Sequence, residues 1–196
     1  ADTGTTITDK SGKGLDGTAD AFCIAVTDPV AGTVRQFPGT LNKGKIATDA
    51  PSAAILSPNT AECWVKLTFP LNTKAPILNF KDQGTPGFLL YLSNVYPYPQ
   101  VTFGDNCYRY WAETDYVGWR HFVFTLPDWD VGASARCKLY VDGVEKDIEI
   151  IGAEPNTGTP VTGRDKFWLG GITDGNRFKG CVGAVRVYSE VLSAEE

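Results

Sequence analysis

Glu145, Asp147 and Glu149 are spaced two residues apart, so a strand running through them would turn all three carboxylates to one face. Two such acids about 5 to 5.5 Å apart are what a retaining glycosidase needs, one to protonate the leaving oxygen and one to attack the sugar carbon. The same alternation describes an ordinary strand with one solvated face, and that plainer reading is the better one. His121 is the chain's one histidine, so any Ser-His-Asp or Cys-His mechanism must use it. It lies between Arg120 and Phe122 with no orienting partner near it in sequence, which suits packing better than proton transfer. There is no G-x-S-x-G elbow or phosphate loop. No catalytic residue is assigned, and the chain is expected to bind rather than to catalyse.

The richer chemistry is aromatic. Tyr91, Tyr96, Tyr98, Phe103, Tyr108, Tyr110, Trp111, Tyr116 and Trp119 crowd one segment, with more rings than one strand face can bury. Sugars offer C–H faces that stack on indole and phenol rings, while their hydroxyls need polar partners. Asp105, Asn106 and Arg109 supply such groups within the run, and Trp129 adds an indole between Asp128 and Asp130. An exposed ring of that kind is costly without a purpose. The expected ligand-binding residues are Tyr96, Tyr98, Asp105, Asn106, Tyr108, Arg109, Tyr110, Trp111 and Trp129, carried on loops. Phe103 and Trp119 are expected in the core.

Composition narrows the partners. With 18 basic against 23 acidic residues the net charge is −5, and no stripe of Lys or Arg could neutralise successive phosphates, so nucleic acid is not expected. No apolar run reaches the roughly 18 residues of a membrane span, and membrane insertion is not expected. Cys23, Cys63, Cys107, Cys137 and Cys181 form no C-x-x-C pair, which disfavours zinc and iron–sulfur sites. They read either as small buried hydrophobes or, in an oxidising compartment, as partners in one or two disulfides with at least one thiol left over.

The elements that must position these residues are strands. Short apolar, β-branched runs with period two recur between Gly, Pro, Asn and Asp, most clearly at 21–26, 62–69, 77–80, 88–92, 100–103, 121–126, 137–141, 148–151, 166–169 and 181–188. Val141-Asp142-Gly143-Val144 is a hairpin signal, so the strand before Asp142 should fold straight back after Gly143. The one helical cue is the capping-box spacing of Ser193-Ala194-Glu195-Glu196, which suggests a piece excised from a longer protein. A single domain over residues 1–196 is expected, since all-β sandwiches of about 200 residues fold as one unit.

Three blocks, in order, resemble the laminin-G-like, concanavalin A-like jelly roll. Asp9-Lys10-Ser11-Gly12-Lys13-Gly14-Leu15-Asp16-Gly17-Thr18 is similar to its opening D-x-S-G-x-G-x-x-G-T. Trp119-Arg120-His121-Phe122-Val123-Phe124-Thr125 with Leu139-Tyr140-Val141-Asp142-Gly143 is similar to its central strand and hairpin. Phe178-Lys179-Gly180-Cys181-Val182-Gly183-Ala184-Val185-Arg186-Val187-Tyr188, followed by Leu192-Ser193-Ala194-Glu195-Glu196, resembles its close.

The resemblance implies an all-β, two-sheet antiparallel jelly-roll sandwich. It also implies a non-catalytic, secreted or cell-surface module that binds a glycan or a cell-surface glycoprotein, or else serves protein recognition or structure, within a multidomain parent. A glycoside hydrolase using Glu145 and Glu149 is the lesser alternative, by similarity to the E-x-D-x-E strand of laminarinase-type hydrolases on a related jelly roll. The family's extracellular habit favours a disulfide, and because strands near its two chain ends usually lie side by side, Cys23 and Cys181 are the implied pair. Relatives hold a structural calcium near the opening loop with help from an Asp in the closing strand. Here Gly183 stands in that place, leaving Asp9, Asp16 and carbonyls of the Gly12–Gly14 turn as the calcium ligands, or else as a turn held by Asx hydrogen bonds.

Overall fold

A computed structural model describes residues 4–11, 16–40, 46–49, 60–68, 75–79, 88–92, 99–103, 106–110, 118–125, 138–151, 166–171 and 178–193. Among these residues there are sixteen strands: β1 (Thr6–Ile7), β2 (Gly17–Ala19), β3 (Ile24–Asp28), β4 (Gly32–Pro38), β5 (Ile46–Asp49), β6 (Thr60–Leu67), β7 (Ala75–Asn79), β8 (Phe88–Leu92), β9 (Pro99–Phe103), β10 (Asn106–Tyr110), β11 (Gly118–Thr125), β12 (Lys138–Val141), β13 (Val144–Lys146), β14 (Ile148–Ile151), β15 (Lys166–Leu169) and β16 (Lys179–Tyr188). They form two antiparallel sheets. One has nine strands in the order β1-β2-β5-β15-β7-β8-β9-β10-β14, the other seven in the order β13-β12-β11-β6-β16-β4-β3.

Alternation explains the layering. Along β6, Ala61, Cys63, Val65 and Leu67 are buried while Trp64 is exposed and Glu62 and Lys66 are half-buried. The inward set meets Phe122, Phe124, Leu139, Val141 and Val182 of its own sheet and Ile77, Leu78, Leu90, Phe167 and Leu169 of the other, in one continuous core. This is the sandwich expected from the period-two runs. Gly170 is held at φ 75, where a Cβ would lie 2.1 Å from the Phe37 ring. Only glycine lets the chain leaving β15 pass that ring.

The hairpin is as expected. Val141 pairs Val144, with Asp142 at φ 53 and Gly143 at φ 78, the doubly left-handed backbone of a type I′ turn. Asp142 also ties the hairpin to β11, since its carboxylate accepts from the His121 amide at 2.8 Å and its own amide donates to the His121 carbonyl at 2.9 Å. Strand β4 is not among the expected runs, because Arg35 interrupts its apolar pattern. That side chain is buried, and its guanidinium donates to the carbonyls of Cys23 and Gly4 at 3.2 and 2.6 Å.

The structure corrects three expectations. Cys23 and Cys181 form no disulfide, and both remain thiols, as does Cys63. Strand β4 lies between β3 and β16, so residues at the two outer strands are about 9 to 10 Å apart, beyond the roughly 7 Å that a disulfide spans between α-carbons. The segment Glu145–Glu149 is not one strand: it leaves the seven-stranded sheet at Lys146 and enters the nine-stranded sheet at Ile148. Glu145 and Glu149 therefore do not share a strand face, and Glu145 accepts instead from Lys138 at 3.0 Å. Trp119 is not in the core but on the outer face of the seven-stranded sheet, where its indole N–H donates to Asp28. The Ser193–Glu196 cap lies largely outside the described residues.

Strand order also departs from chain order at the end of the chain. The last two described strands are both inserted into the middle of a sheet, β15 between β5 and β7 and β16 between β6 and β4.

Candidate functional site

Strands β6 and β11 pair at the centre of the seven-stranded sheet with His121 directly opposite Trp64 and Trp119 opposite Lys66. Their strand neighbours Cys63, Val65, Leu67 and Phe122 belong to the core, so by alternation these four project from the outer face. The Trp64 indole and the His121 imidazole stack, with centroids 4.7 Å apart and planes 13° apart. His121 Nε2 lies 3.0 Å from Glu62 Oε2. Glu62 also accepts from the Arg186 guanidinium and, at 3.3 Å, from the Tyr188 hydroxyl. Arg186 reaches it because β16 pairs β6 on the other side, Arg186 opposite Glu62.

A second cluster adjoins the first. Asp28 accepts from Lys66 Nζ at 2.8 Å, from Trp119 Nε1 at 2.9 Å, and from the amides of Val30 and Ala31 at 2.8 and 3.1 Å. Its side chain is only 5% exposed. Between the clusters, β16 has a register shift from Val182 to Val185, which sets Gly183 and Ala184 opposite Trp64. A Cβ on Gly183 would lie 3.5 Å from Trp64 Cβ and 3.6 Å from the Trp119 ring. The glycine is the floor beneath both indoles.

The charges are fixed. The Lys66 ammonium, outweighing burial, holds the Asp28 carboxyl far below the usual carboxylate range, and the hydrogen bonds from Val30, Ala31 and Trp119 add to it. Burial works to raise Glu62, but Arg186 and His121 together hold it below its ordinary value. Burial and the nearby Glu62 charge push up the Tyr188 hydroxyl. On the core side of β6, burial pushes the Cys63 thiol up and leaves it without nucleophilic character. The result is a rigid polar network around an indole that is 43% exposed. Such a surface can stack on an apolar ring face and exchange hydrogen bonds with hydroxyls around it.

The residues singled out from sequence fall elsewhere. Tyr96, Tyr98, Asp105, Trp111 and Trp129 lie outside the described residues. Asn106, Tyr108, Arg109 and Tyr110 are not on a loop but on β10, between β9 and β14, with Tyr108 opposite Val101 and Ile150 and Arg109 opposite Gln100 and Glu149. Asp9 and Asp16 form an Asx-type turn. Ser11 donates its amide and hydroxyl to the two oxygens of Asp9, each at 2.8 Å, and the Asp9 amide donates to Asp16 at 2.8 Å. A calcium ion needs about six to eight oxygens. No group of three or more His, Cys, Asp or Glu side chains able to hold a metal occurs among the described residues, and the Gly12–Gly14 carbonyls of the expected set lie outside them. What sequence reading missed was Trp64 with Glu62, Arg186 and Asp28. The signal was present, since Trp64 occupies the polar parity of an otherwise regular strand.

The fold and this surface define a β-sandwich of the lectin and glucanase type. Residues 38–196 match the laminin G family of the concanavalin A-like lectin/glucanases superfamily, and the chain belongs to it. No curated protein matches it in sequence. Among solved structures, Trypanosoma rangeli sialidase in complex with the inhibitor DANA is similar with a TM-score of 0.68 at 15% identity, over 100% of this chain and 30% of that one. Domain 4 of AbnA, a GH43 extracellular arabinanase from Geobacillus stearothermophilus, in complex with arabinotriose, has a TM-score of 0.65 at 19% identity, covering 95% of this chain and 88% of that one. The CBM40 of Ruminococcus gnavus IT-sialidase, bound to α2,3 sialyllactose, has a TM-score of 0.59 at 17% identity, covering 83% and 92%. The chain thus spans under a third of the sialidase it resembles and most of the other two.

Proposed function

We propose that this domain is a non-catalytic glycan-binding module of a larger secreted or cell-surface protein. The observation that carries the reading is Trp64, an exposed indole braced on one face by His121 and ringed by groups able to hydrogen-bond sugar hydroxyls. Rings held rigid lose little entropy on binding, which is why affinity concentrates in such anchors. Support comes also from the two neighbours matched over most of their own length, both of which were solved with an oligosaccharide. Against a hydrolytic role stands the state of the acids. A glycosidase needs one carboxyl raised so that it can donate a proton, whereas Asp28 and Glu62 are both held low.

Binding of the purified domain to an immobilised oligosaccharide panel tests this. Capture by at least one glycan is expected, weakened about tenfold or more by Trp64→Ala while the unfolding midpoint is kept. Glycan cleavage by the domain, or no binding across the panel, would overturn it.

A further inference from the structure

Among the described residues, the outer face around Trp64 carries two cations, and each is engaged. Arg186 is paired with Glu62, and Lys66 with Asp28 at 2.8 Å. Glu62 additionally holds His121. The face is therefore electrically balanced, carboxylate by carboxylate. A sugar acid, whether a sialic or a uronic acid, is recognised by a guanidinium or ammonium free to make charge-assisted bonds to its carboxylate. With Arg186 already neutralised by Glu62, whose side chain is only 13% exposed, a sugar carboxylate here would add an uncompensated negative charge beside that enclosed acid. Lys66 is likewise neutralised by Asp28, the more deeply enclosed of the two acids.

An uncharged sugar asks for none of this. Its C–H face can lie on the indole and its hydroxyls can donate to Glu62 and accept from Arg186 while that pair stays intact. The space for it is built into β16. Opposite Trp64 stand Gly183, over which the edge of the Trp119 ring lies, and the small, exposed Ala184, so at Ala184 nothing larger than a methyl group rises beside the indole.

From this we infer that the outer face of the seven-stranded sheet takes one uncharged sugar ring, stacked on Trp64 beside Ala184, and discriminates against sialylated and uronate-bearing glycans. The inference rests on the glycan-binding reading and narrows it. It also separates this chain from the neighbour solved with sialyllactose.

The experiment pairs neutral oligosaccharides with acidic counterparts, lactose with 3′-sialyllactose and galactotriose with trigalacturonate, together with cellotriose and arabinotriose, at low and high salt. At least one neutral member is expected to bind with little dependence on salt, and its acidic counterpart to bind no better. Trp64→Ala should reduce that binding about tenfold or more. Ala184→Phe, at an exposed position that folding tolerates, should do the same by filling the space. Binding confined to acidic members and lost at high salt would overturn the inference while leaving glycan binding standing. Neutral binding that survives both substitutions would place the site elsewhere and overturn it as well. Failure of every sugar to bind would remove both readings.

Discussion

Glu62 is the residue on which the outer face turns, since it takes hydrogen bonds from His121, Arg186 and Tyr188 at once. The three are not equal. Arg186 is 60% exposed, and ion pairs with one solvated partner are worth less than about 1 kcal/mol. His121 and Tyr188 are more enclosed, so most of the loss on removing the acid should come through them. Glu62→Ala is expected to destabilise by about 1 to 3 kcal/mol, and a double-mutant cycle with Arg186→Ala in urea should return a coupling below about 1 kcal/mol. A coupling well above that would mean that Arg186, not the enclosed pair, anchors the acid. None of this was legible from sequence. Glu62 and Arg186 lie on strands β6 and β16, far apart along the chain, and only the register of those strands brings them together.

At the scale of elements, turn chemistry was the most readable feature. Asp142 and Gly143 fix a left-handed backbone that few residues adopt, and the strand return followed from those two letters. Gly143 has open space where a Cβ would go, so a substitution there reports backbone strain alone. Gly143→Val is expected to cost about 1 to 2 kcal/mol, read as a shift in the urea midpoint with unchanged slope. No shift would mean the hairpin tolerates another turn. Alternation was equally legible where a strand has one wet face, as in β6. It failed in two informative places. At Glu145–Glu149 the period of two runs on unbroken through Asp147, yet the chain changes sheets there, and a pattern of side chains cannot say which ladder the backbone joins. At β4 the inward Arg35 broke the pattern, because its partners are main-chain carbonyls that no sequence signal marks. The expected neighbouring of Cys23 and Cys181 failed for the first of these reasons, strand order being a tertiary property.

For the molecule as a whole, the two acids of the outer face set its response to pH. Both Asp28 and Glu62 are held below their ordinary values when folded. A group depressed in this way stabilises fully above its unfolded value, roughly 4, and loses that contribution as pH falls toward the folded value. The urea midpoint should therefore be level from neutral to about pH 5 and decline below about pH 4. Asp28→Asn should lower the midpoint at neutral pH and make the acid decline shallower, so that the two proteins converge. Parallel declines would show that Asp28 is not a source of the acid sensitivity. Fold class was legible at this scale because many short runs agreed with one another. The location of the candidate surface was less so, since it depends on which rings the sheets turn outward. Trp119 shows this, a residue in a core-like sequence whose indole nitrogen reaches the outer face to hold Asp28.

The insertion of β15 and β16 into the middle of the two sheets has a consequence for how the protein is made. Among the described strands, β1, β2 and β5 connect to the rest of their sheet only through β15, and β3 and β4 to theirs only through β16. While the ribosome is still producing the chain between Pro38 and Lys179, the early hairpin β3–β4 has no ladder to join. At ordinary translation rates of about 5 to 20 residues per second, that wait lasts on the order of ten seconds. Throughout it, strand edges that end up enclosed are open to mispairing with other nascent chains. The Gly-Cys-Val run of β16 is thus a keystone laid last, and a codon change that slows its arrival would lengthen the exposure without altering a single residue of the finished sandwich.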